Sequence, residues 1–338
     1  MKKSFICLLL VFVMAMATMP IATVSAASAP VVGGMGASLL STLNNPPSGV
    51  NTDIQNLQYL LTNLGHAPVG GCDGKWGTNT KNAVIAFQQD YPSYLSPDGV
   101  VGAKTATALV QAALQKRFAF KYLSVDGVWG HVTGSAVCTL QMMFSLTADG
   151  VVGSATWAKL CTSSKNYTPN WYIKIVLSSD RTTGTLYAYN SSGTQLHSCK
   201  CLGYSYATTD HTNNWKAVNM DTPLGVFRAS IAAASSSTYA SLGLTPPSFG
   251  FNTSGTKINT AAVSSDLAYG AYQIIKMQDD DIKPVTNNRT GVWIHSTGAA
   301  NKYTTTLYPT HGCVKIFSSD QSVLASKLSG AGFVFITQ

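Results

Sequence analysis

The chain has 338 residues, 22 of them Lys or Arg, and its 14 acidic residues are all Asp, for a formal net charge of +8. Without any Glu it can form neither an HExxH zinc-protease helix, nor an EF-hand loop closed by Glu, nor a muramidase site built on a protonated Glu. Charged residues make up only 11%, about half the usual share for a soluble domain, and no Lys/Arg-rich run supports a nucleic-acid partner.

At the N-terminus, Lys2 and Lys3 precede an uncharged apolar run over residues 6–16. Val24-Ser25-Ala26 then supplies small residues at a cleavage position. Residues 1–26 therefore read as a signal peptide, and the apolar core is short for a membrane anchor. The expectation is a secreted product with no integral membrane segment after signal cleavage. Losing Lys2 and Lys3 lowers the charge by two and leaves a mildly basic protein drawn to anionic surfaces. Cys7 leaves with the signal, and Cys72, Cys138, Cys161, Cys199, Cys201 and Cys313 remain. Residues 27–50, rich in Ala, Gly, Ser, Pro and Asn, read as a linker or disordered lead-in.

An internal repeat follows. Asp73-Gly74-Lys75-Trp76-Gly77 is echoed by Asp126-Gly127-Val128-Trp129-Gly130, and Asp98-Gly99-Val100-Val101-Gly102 by Asp149-Gly150-Val151-Val152-Gly153. Between them, Ala83-Val84-Ile85-Ala86-Phe87-Gln88 matches Ala136-Val137-Cys138-Thr139-Leu140-Gln141. Repetition of this kind marks duplicated structural units. Asp-Gly pairs favour tight turns, because Asp accepts from amides ahead of it and Gly tolerates positive φ. Thr80, Thr133, Thr105 and Thr156 stand where helices would open, and Ile54, Leu57, Leu60, Leu61 and Leu64 form a helical stripe ending near Gly65. Each unit is expected to be a three-helix module, over 51–113 and 114–162, with residues 105–120 ending one and starting the next.

These boxes resemble the type 1 peptidoglycan-binding domain. The resemblance implies peptidoglycan, glycan strands or stem peptides, as partner and a cell-wall location, with Trp76, Trp129, Asp73, Asp126, Asp98 and Asp149 as candidate wall-binding residues. The alternative is that Trp76, Trp129 and Trp157 are core aromatics and the modules serve only as spacers.

Residues 163–170 read as a linker, and 171–338 change character. Short β-favouring runs lie at 171–177, 185–189, 272–276 and 333–337, and one helix at 318–328, with Ser318 and Gln321 placed as a capping box and Gly330 as a stop. The fold class is thus multidomain: tandem all-α modules followed by a mostly-β (α+β) domain.

The last eighty residues or so hold Trp293-Ile294-His295-Ser296 and Thr310-His311-Gly312-Cys313-Val314-Lys315. A nucleophilic Cys needs a base and a third group to orient that base. A Gly before Cys lets the backbone bend, and the amides there can form an oxyanion hole. Fourteen residues lie between His295 and Thr310. This spacing, with the closing Thr-His-Gly-Cys, resembles the signature of YkuD-type L,D-transpeptidase catalytic domains, and Asp221-Thr222-Pro223-Leu224-Gly225-Val226-Phe227 resembles the family's TPxGxF segment.

The resemblance implies the roles. Cys313 is the nucleophile and His295 its base, oriented by the Ser296 carbonyl, while His311 and Gly312 shape the oxyanion site. Lys315, Thr310 and Trp293 are the candidate substrate-binding residues. The implied reaction releases D-Ala from a tetrapeptide stem through a Cys313 thioester and forms a 3→3 cross-link; no cofactor is implied, and carbapenem-type inhibitors would acylate the same Cys. L,D-carboxypeptidase activity and a non-catalytic wall-binding protein are the alternatives. The family usually carries Arg or Asn where Lys315 stands, and Lys lacks the planar fork of Arg.

Other patterns are weaker. Ser254-Gly255-Thr256-Lys257 lacks the Lys-Thr-Gly partner of a serine penicillin-binding enzyme. His197, Cys199, Cys201 and His211 match no standard zinc spacing, so no metal is expected. Asp279-Asp280-Asp281 reads as a solvated turn, and Asn190, Asn252 and Asn288 begin chance glycosylation triplets.

Overall fold

The computed structural model describes residues 32–164, 167–205, 221–232, 274–286, 288–296, 307 and 312–338. The signal segment, His211 and the Ser254–Lys257 pattern lie outside the described residues. The chain orders earlier than its composition suggests. Within the expected linker 27–50, β1 (Gly34–Met35) pairs in parallel with β2 (Val151–Val152), and α1 (Ala37–Asn44) follows. Leu39 and Leu43 supply its buried face, an apolar spacing outweighed in the sequence by the surrounding Gly, Ser and Pro.

The helical half continues with α2 (Thr52–Leu64), α3 (Thr78–Gln89), α4 (Ala103–Arg117), α5 (His131–Met143) and α6 (Ser154–Thr162). The predicted stripe is the buried face of α2, which closes on Gly65 in a left-handed conformation. A single helix, α4, spans the expected boundary between the modules. In turn, α6 packs back on α2: the Trp157 indole donates to the Asp53 carbonyl at 3.1 Å, and Asn63 donates to the Cys161 carbonyl. The two units are therefore one bundle.

One polar clasp recurs four times. Gln58 Nε2 donates to Asp73 Oδ1 (3.0 Å), the Lys75 carbonyl and Thr80 Oγ1, while the Gly74 amide donates to Gln58 Oε1 at 2.7 Å. The same bonds join Gln88 to the Asp98 turn and Thr105, Gln111 to the Asp126 turn and Thr133, and Gln141 to the Asp149 turn and Thr156. Each threonine sits inside the helix that follows its turn, beyond the first residue, and lends its hydroxyl to a glutamine of the preceding helix. The structural period is thus one helix and one turn, half of the sequence repeat.

The C-terminal half is one eight-stranded sheet built from β3 (Trp171–Leu177), β4 (Gly184–Asn190), β5 (Gln195–Cys201), β6 (Gly225–Ala232), β7 (Ile274–Met277), β8 (Trp293–His295), β9 (Val314–Lys315) and β10 (Ala331–Thr337). The order is β5-β4-β3-β10-β6-β7-β8-β9, with β3/β10 and β8/β9 parallel. Leu202, just past β5, exchanges backbone hydrogen bonds with Lys315 of β9, so the two edges meet and the sheet curls toward a barrel. Among the described residues, two short α-helices accompany the sheet, α7 (Asp279–Ile282), which runs into a 3-10 turn at Lys283–Val285, and α8 (Ser318–Lys327).

The halves share a wall. α5 lies on β6, where the Val226 amide donates to Ser135 Oγ at 2.9 Å and Thr139 Oγ1 donates to the Val226 carbonyl at 2.7 Å. Phe120 stacks on Phe333, and Tyr122 on Tyr189. Tyr167, in the expected linker 163–170, donates to the Gly332 carbonyl and packs on Phe333. That segment is bound to the sheet because its aromatic ring finds an apolar surface.

Candidate active site

β8 and β9 run parallel with His295 opposite Lys315, so both side chains leave the same face of the sheet. Cys313 stands two residues before Lys315, at the turn that enters β9. Gly312 has φ of +102°, a conformation that an L side chain resists, so the small residue before the cysteine is what allows the turn.

His295 is buried, and its Nδ1 lies 2.7 Å from the Ser296 carbonyl. A carbonyl only accepts, so Nδ1 carries the proton and Nε2 is the basic nitrogen. Ser296 is fixed in turn: its Oγ donates to Gln321 Oε1 at 2.6 Å, and both side chains are buried. Gln321 therefore does not close a capping box with Ser318. Phe317 occupies the N-cap of α8 without a side-chain cap, which puts Ser318 inside the helix and turns Gln321 toward the site.

A second network backs the turn. Thr222 Oγ1 donates to the Gly312 carbonyl at 3.1 Å, and the Thr222 amide donates to Gly203. Asp221 is fully buried; its Oδ1 accepts from the Ser205 amide, its Oδ2 lies 4.0 Å from Arg181, and its carbonyl accepts from Arg289 Nη1 at 2.6 Å. The Asp221–Phe227 segment thus acts as a buttress behind Gly312. Arg289, which the sequence presents only as the middle of a chance glycosylation triplet, is a buried cation beside the thiol. Asp281 is no solvated turn: it is buried and paired with Arg228 at 2.6 Å.

The Cys313 thiol donates toward the Gly291 carbonyl at 3.4 Å. Burial raises its pKa above the ordinary thiol value, and the Trp293 backbone, Arg289 and Lys315 offset only part of that shift. A resting thiol of this kind stays protonated at neutral pH and needs a base to become a nucleophile. Lys315 is 3% exposed, and burial pushes its ammonium down to about 8 against the opposing pull of the Cys313 thiolate. Trp293 is buried, with its ring facing the Lys276 ammonium, and offers the site little surface.

Cys313, His295, Ser296, Gly312, Lys315 and Trp293 thus gather on adjoining strands and their ends. Thr310 and His311 lie outside the described residues. In the bundle, Asp73, Asp98, Asp126 and Asp149 spend Oδ1 on the clasps and the turn amides two residues ahead. Trp76 is half-buried at a cleft with Lys75, Asn79 and Val69. The Trp129 indole instead donates to the Val32 carbonyl at 2.9 Å, and Trp157 is fully buried. Among the described residues, one group of side chains could hold a metal: His197, Cys199 and Asp320. No helix there is long and apolar enough to cross a membrane.

Comparison with known proteins bears most directly on the bundle. Residues 50–109 and 108–160 each match the family described as a putative peptidoglycan binding domain, so these domains are present in tandem. A probable N-acetylmuramoyl-L-alanine amidase of Bacillus licheniformis is 28% identical over 146 residues, covering 32% of this chain and 41% of the relative, so the chain spans about two fifths of that relative's length. Among solved structures, the L,D-transpeptidase (Yku) of Stackebrandtia nassauensis is 14% identical with a TM-score of 0.27, covering 68% of this chain and 89% of that one. The helical cell shape determining protein Pgp2 of Campylobacter jejuni is 15% identical with a TM-score of 0.28, covering 50% and 49%. The arrangement is helical peptidoglycan-binding domains followed by a sheet-rich, barrel-like domain.

Proposed function

We propose that the chain is an exported, cell-wall-associated L,D-transpeptidase in which Cys313 forms a thioester with a peptidoglycan stem. The observation that carries this reading is the 2.7 Å contact from His295 Nδ1 to the Ser296 carbonyl, on the strand paired with the one that Cys313 leads into. It leaves Nε2 as the base of a Cys-His pair whose third member is a backbone carbonyl, the logic of a catalytic triad.

In this reading His295 takes the Cys313 proton, and the thiolate attacks the carbonyl at the L-centre of the donor's diacid residue. The C–N bond to D-Ala breaks, and the departing amine takes the proton back from His295. The side-chain amine of a second stem then attacks the thioester, giving a 3→3 cross-link and restoring the thiol. Arg289 and Lys315 favour the thiolate electrostatically, and Lys315 offers a cation to the donor's carboxylate. Carbapenems would acylate the same sulfur. The tandem peptidoglycan-binding domains would raise the local concentration of the polymeric substrate.

Mass spectrometry of products tests the reading. The mature protein and a Cys313→Ala control are incubated with purified disaccharide-tetrapeptide. A cross-linked dimer lacking one D-Ala, absent from the control, is the expected result. Tripeptide monomer alone would make water the acceptor and the enzyme an L,D-carboxypeptidase. No change would leave a wall-binding protein.

A further inference from the structure

A second cluster of reactive side chains lies where α8 covers the edge strand β5. His197 and Cys199 are two residues apart on β5, so their side chains leave the same face. Asp320 comes from the first turn of α8, which packs on β5. His197 Nε2 and Asp320 Oδ1 are 2.9 Å apart, and one ligand atom from each of the three residues lies within 4.8 Å of the others. Zinc bonds of about 2.0–2.3 Å place tetrahedral ligand atoms roughly 3.3–3.8 Å apart, so a small side-chain rotation closes the set. The His197 and Asp320 side chains are each 19% exposed, which leaves a route for an ion from solvent.

The sequence hides this site because its third ligand is more than a hundred residues from the first two. Cys201, which is nearer in sequence, is a free buried thiol and does not join the set. A thiolate, an imidazole and a carboxylate together suit zinc better than a hard cation such as Mg²⁺ or Ca²⁺.

We propose that His197 Nε2, Cys199 Sγ and an Asp320 carboxylate oxygen form a zinc site that clamps β5 to α8, with water as the fourth ligand. On binding, the Cys199 thiol releases its proton to solvent, and the His197–Asp320 hydrogen bond is replaced by two bonds to the ion. The clamp ties down both walls of the candidate active site. Asp320 immediately precedes Gln321, which holds Ser296, and β5 runs into Leu202, which bridges to Lys315.

The test uses the full mature chain, reduced and stripped with chelator, then titrated with Co²⁺ and displaced with Zn²⁺. The expected result is one equivalent of Co²⁺ with a thiolate-to-cobalt charge-transfer band in the near ultraviolet. Cys199→Ser should abolish the band. His197→Ala and Asp320→Asn should each weaken binding by at least about a hundredfold, because losing a mere supporting hydrogen bond at a metal site costs ~10–100-fold. Asp320→Asn retains a hydrogen-bonding partner for His197, so it reports on ligation even if Cys199→Ser folds poorly. Cys313→Ala should keep the band. Absence of the band, its survival in Cys199→Ser, unchanged affinity in Asp320→Asn, or its loss in Cys313→Ala would each overturn the proposal.

Discussion

The two peptidoglycan-binding repeats share one internal plan and differ in what covers them. Both fold around the same Gln–Asp-Gly–Thr clasp. In the first, Trp76 stays half-exposed at a cleft beside Lys75. In the second, the lead-in crosses the equivalent tryptophan, and the Trp129 indole donates to Val32. The lead-in passes so close to α5 that a Cβ on Gly134 would lie 2.2 Å from the Val32 carbonyl. A neighbouring face of α5 is taken by the sheet through Ser135 and Thr139. A duplicated sequence thus preserves the clasps, while the surfaces diverge: the first repeat faces outward, and the second mounts the sheet-rich domain.

The clasps are the common part, so breaking one gives the largest expected effect on stability. Gln111→Ala removes the acceptor for Gly127 and the donor to Asp126, Val128 and Thr133. Buried groups left unpaired cost about 1–3 kcal/mol each, so denaturant unfolding should show a loss of about 2–4 kcal/mol. A loss under about 0.5 kcal/mol would mean that water replaces the clasp.

The halves should also respond to pH in opposite ranges. Asp73 and Asp98 are held below the usual carboxylate value, Asp73 first by its hydrogen bond from Gln58 and Asp98 first by the Val100 amide. Their folded pKa values lie below the unfolded ones, so their stabilising effect is present above about 3.8 and is lost as pH falls further. Lys315 is depressed to about 8 from an ordinary value of 10.5. Below pH 8 it is charged in both states and its burial is a full cost, whereas between about 8 and 10.5 the unfolded chain binds more protons and stability rises with pH. Lys315→Met should remove that alkaline rise and stabilise the protein at pH 7 by on the order of 3 kcal/mol. A wild-type stability curve flat from pH 8 to 10 would contradict the burial of a charged Lys315.

The smallest thermodynamic effect belongs to the half-buried tryptophan at the cleft. Trp76→Ala should change unfolding free energy by less than about 1 kcal/mol yet reduce retention on purified peptidoglycan. Trp129→Ala should do the reverse, because its indole N–H is engaged by the lead-in at Val32, whereas the Trp76 ring opens on the cleft. Equal loss of retention in both variants would erase the proposed division between the repeats.

Much of this was legible in the sequence, for reasons that differ by region. The α2 stripe, the Asp-Gly turns and the β3, β4 and β10 runs are local patterns of spacing and turn chemistry, and they fold as they read. The clasps of Gln58 and Gln111 were hidden because those glutamines sit in helical stretches outside the boxes shared by the two repeats. For Gln321, a capping box and a buried support look alike in the sequence, and only the N-cap at Phe317 separates them. Asp221 and Arg289 meet across 68 positions, a pairing that no local pattern shows. The candidate reacting groups and the Ser296 carbonyl are readable from the His-Gly-Cys spacing and its resemblance, whereas Gln321 behind Ser296 and Arg289 against the Asp221 carbonyl appear only in the fold.

The central claim, a neutral Cys313 thiol activated by a His295 held through Ser296, is tested most directly by following carbapenem adduct formation with intact-protein mass spectrometry. The account predicts one adduct on the wild-type chain, none on Cys313→Ala, and acylation of His295→Ala slower by about 10²–10⁴-fold, the usual contribution of a positioned base. An adduct on Cys313→Ala, or undiminished acylation of His295→Ala, would contradict it.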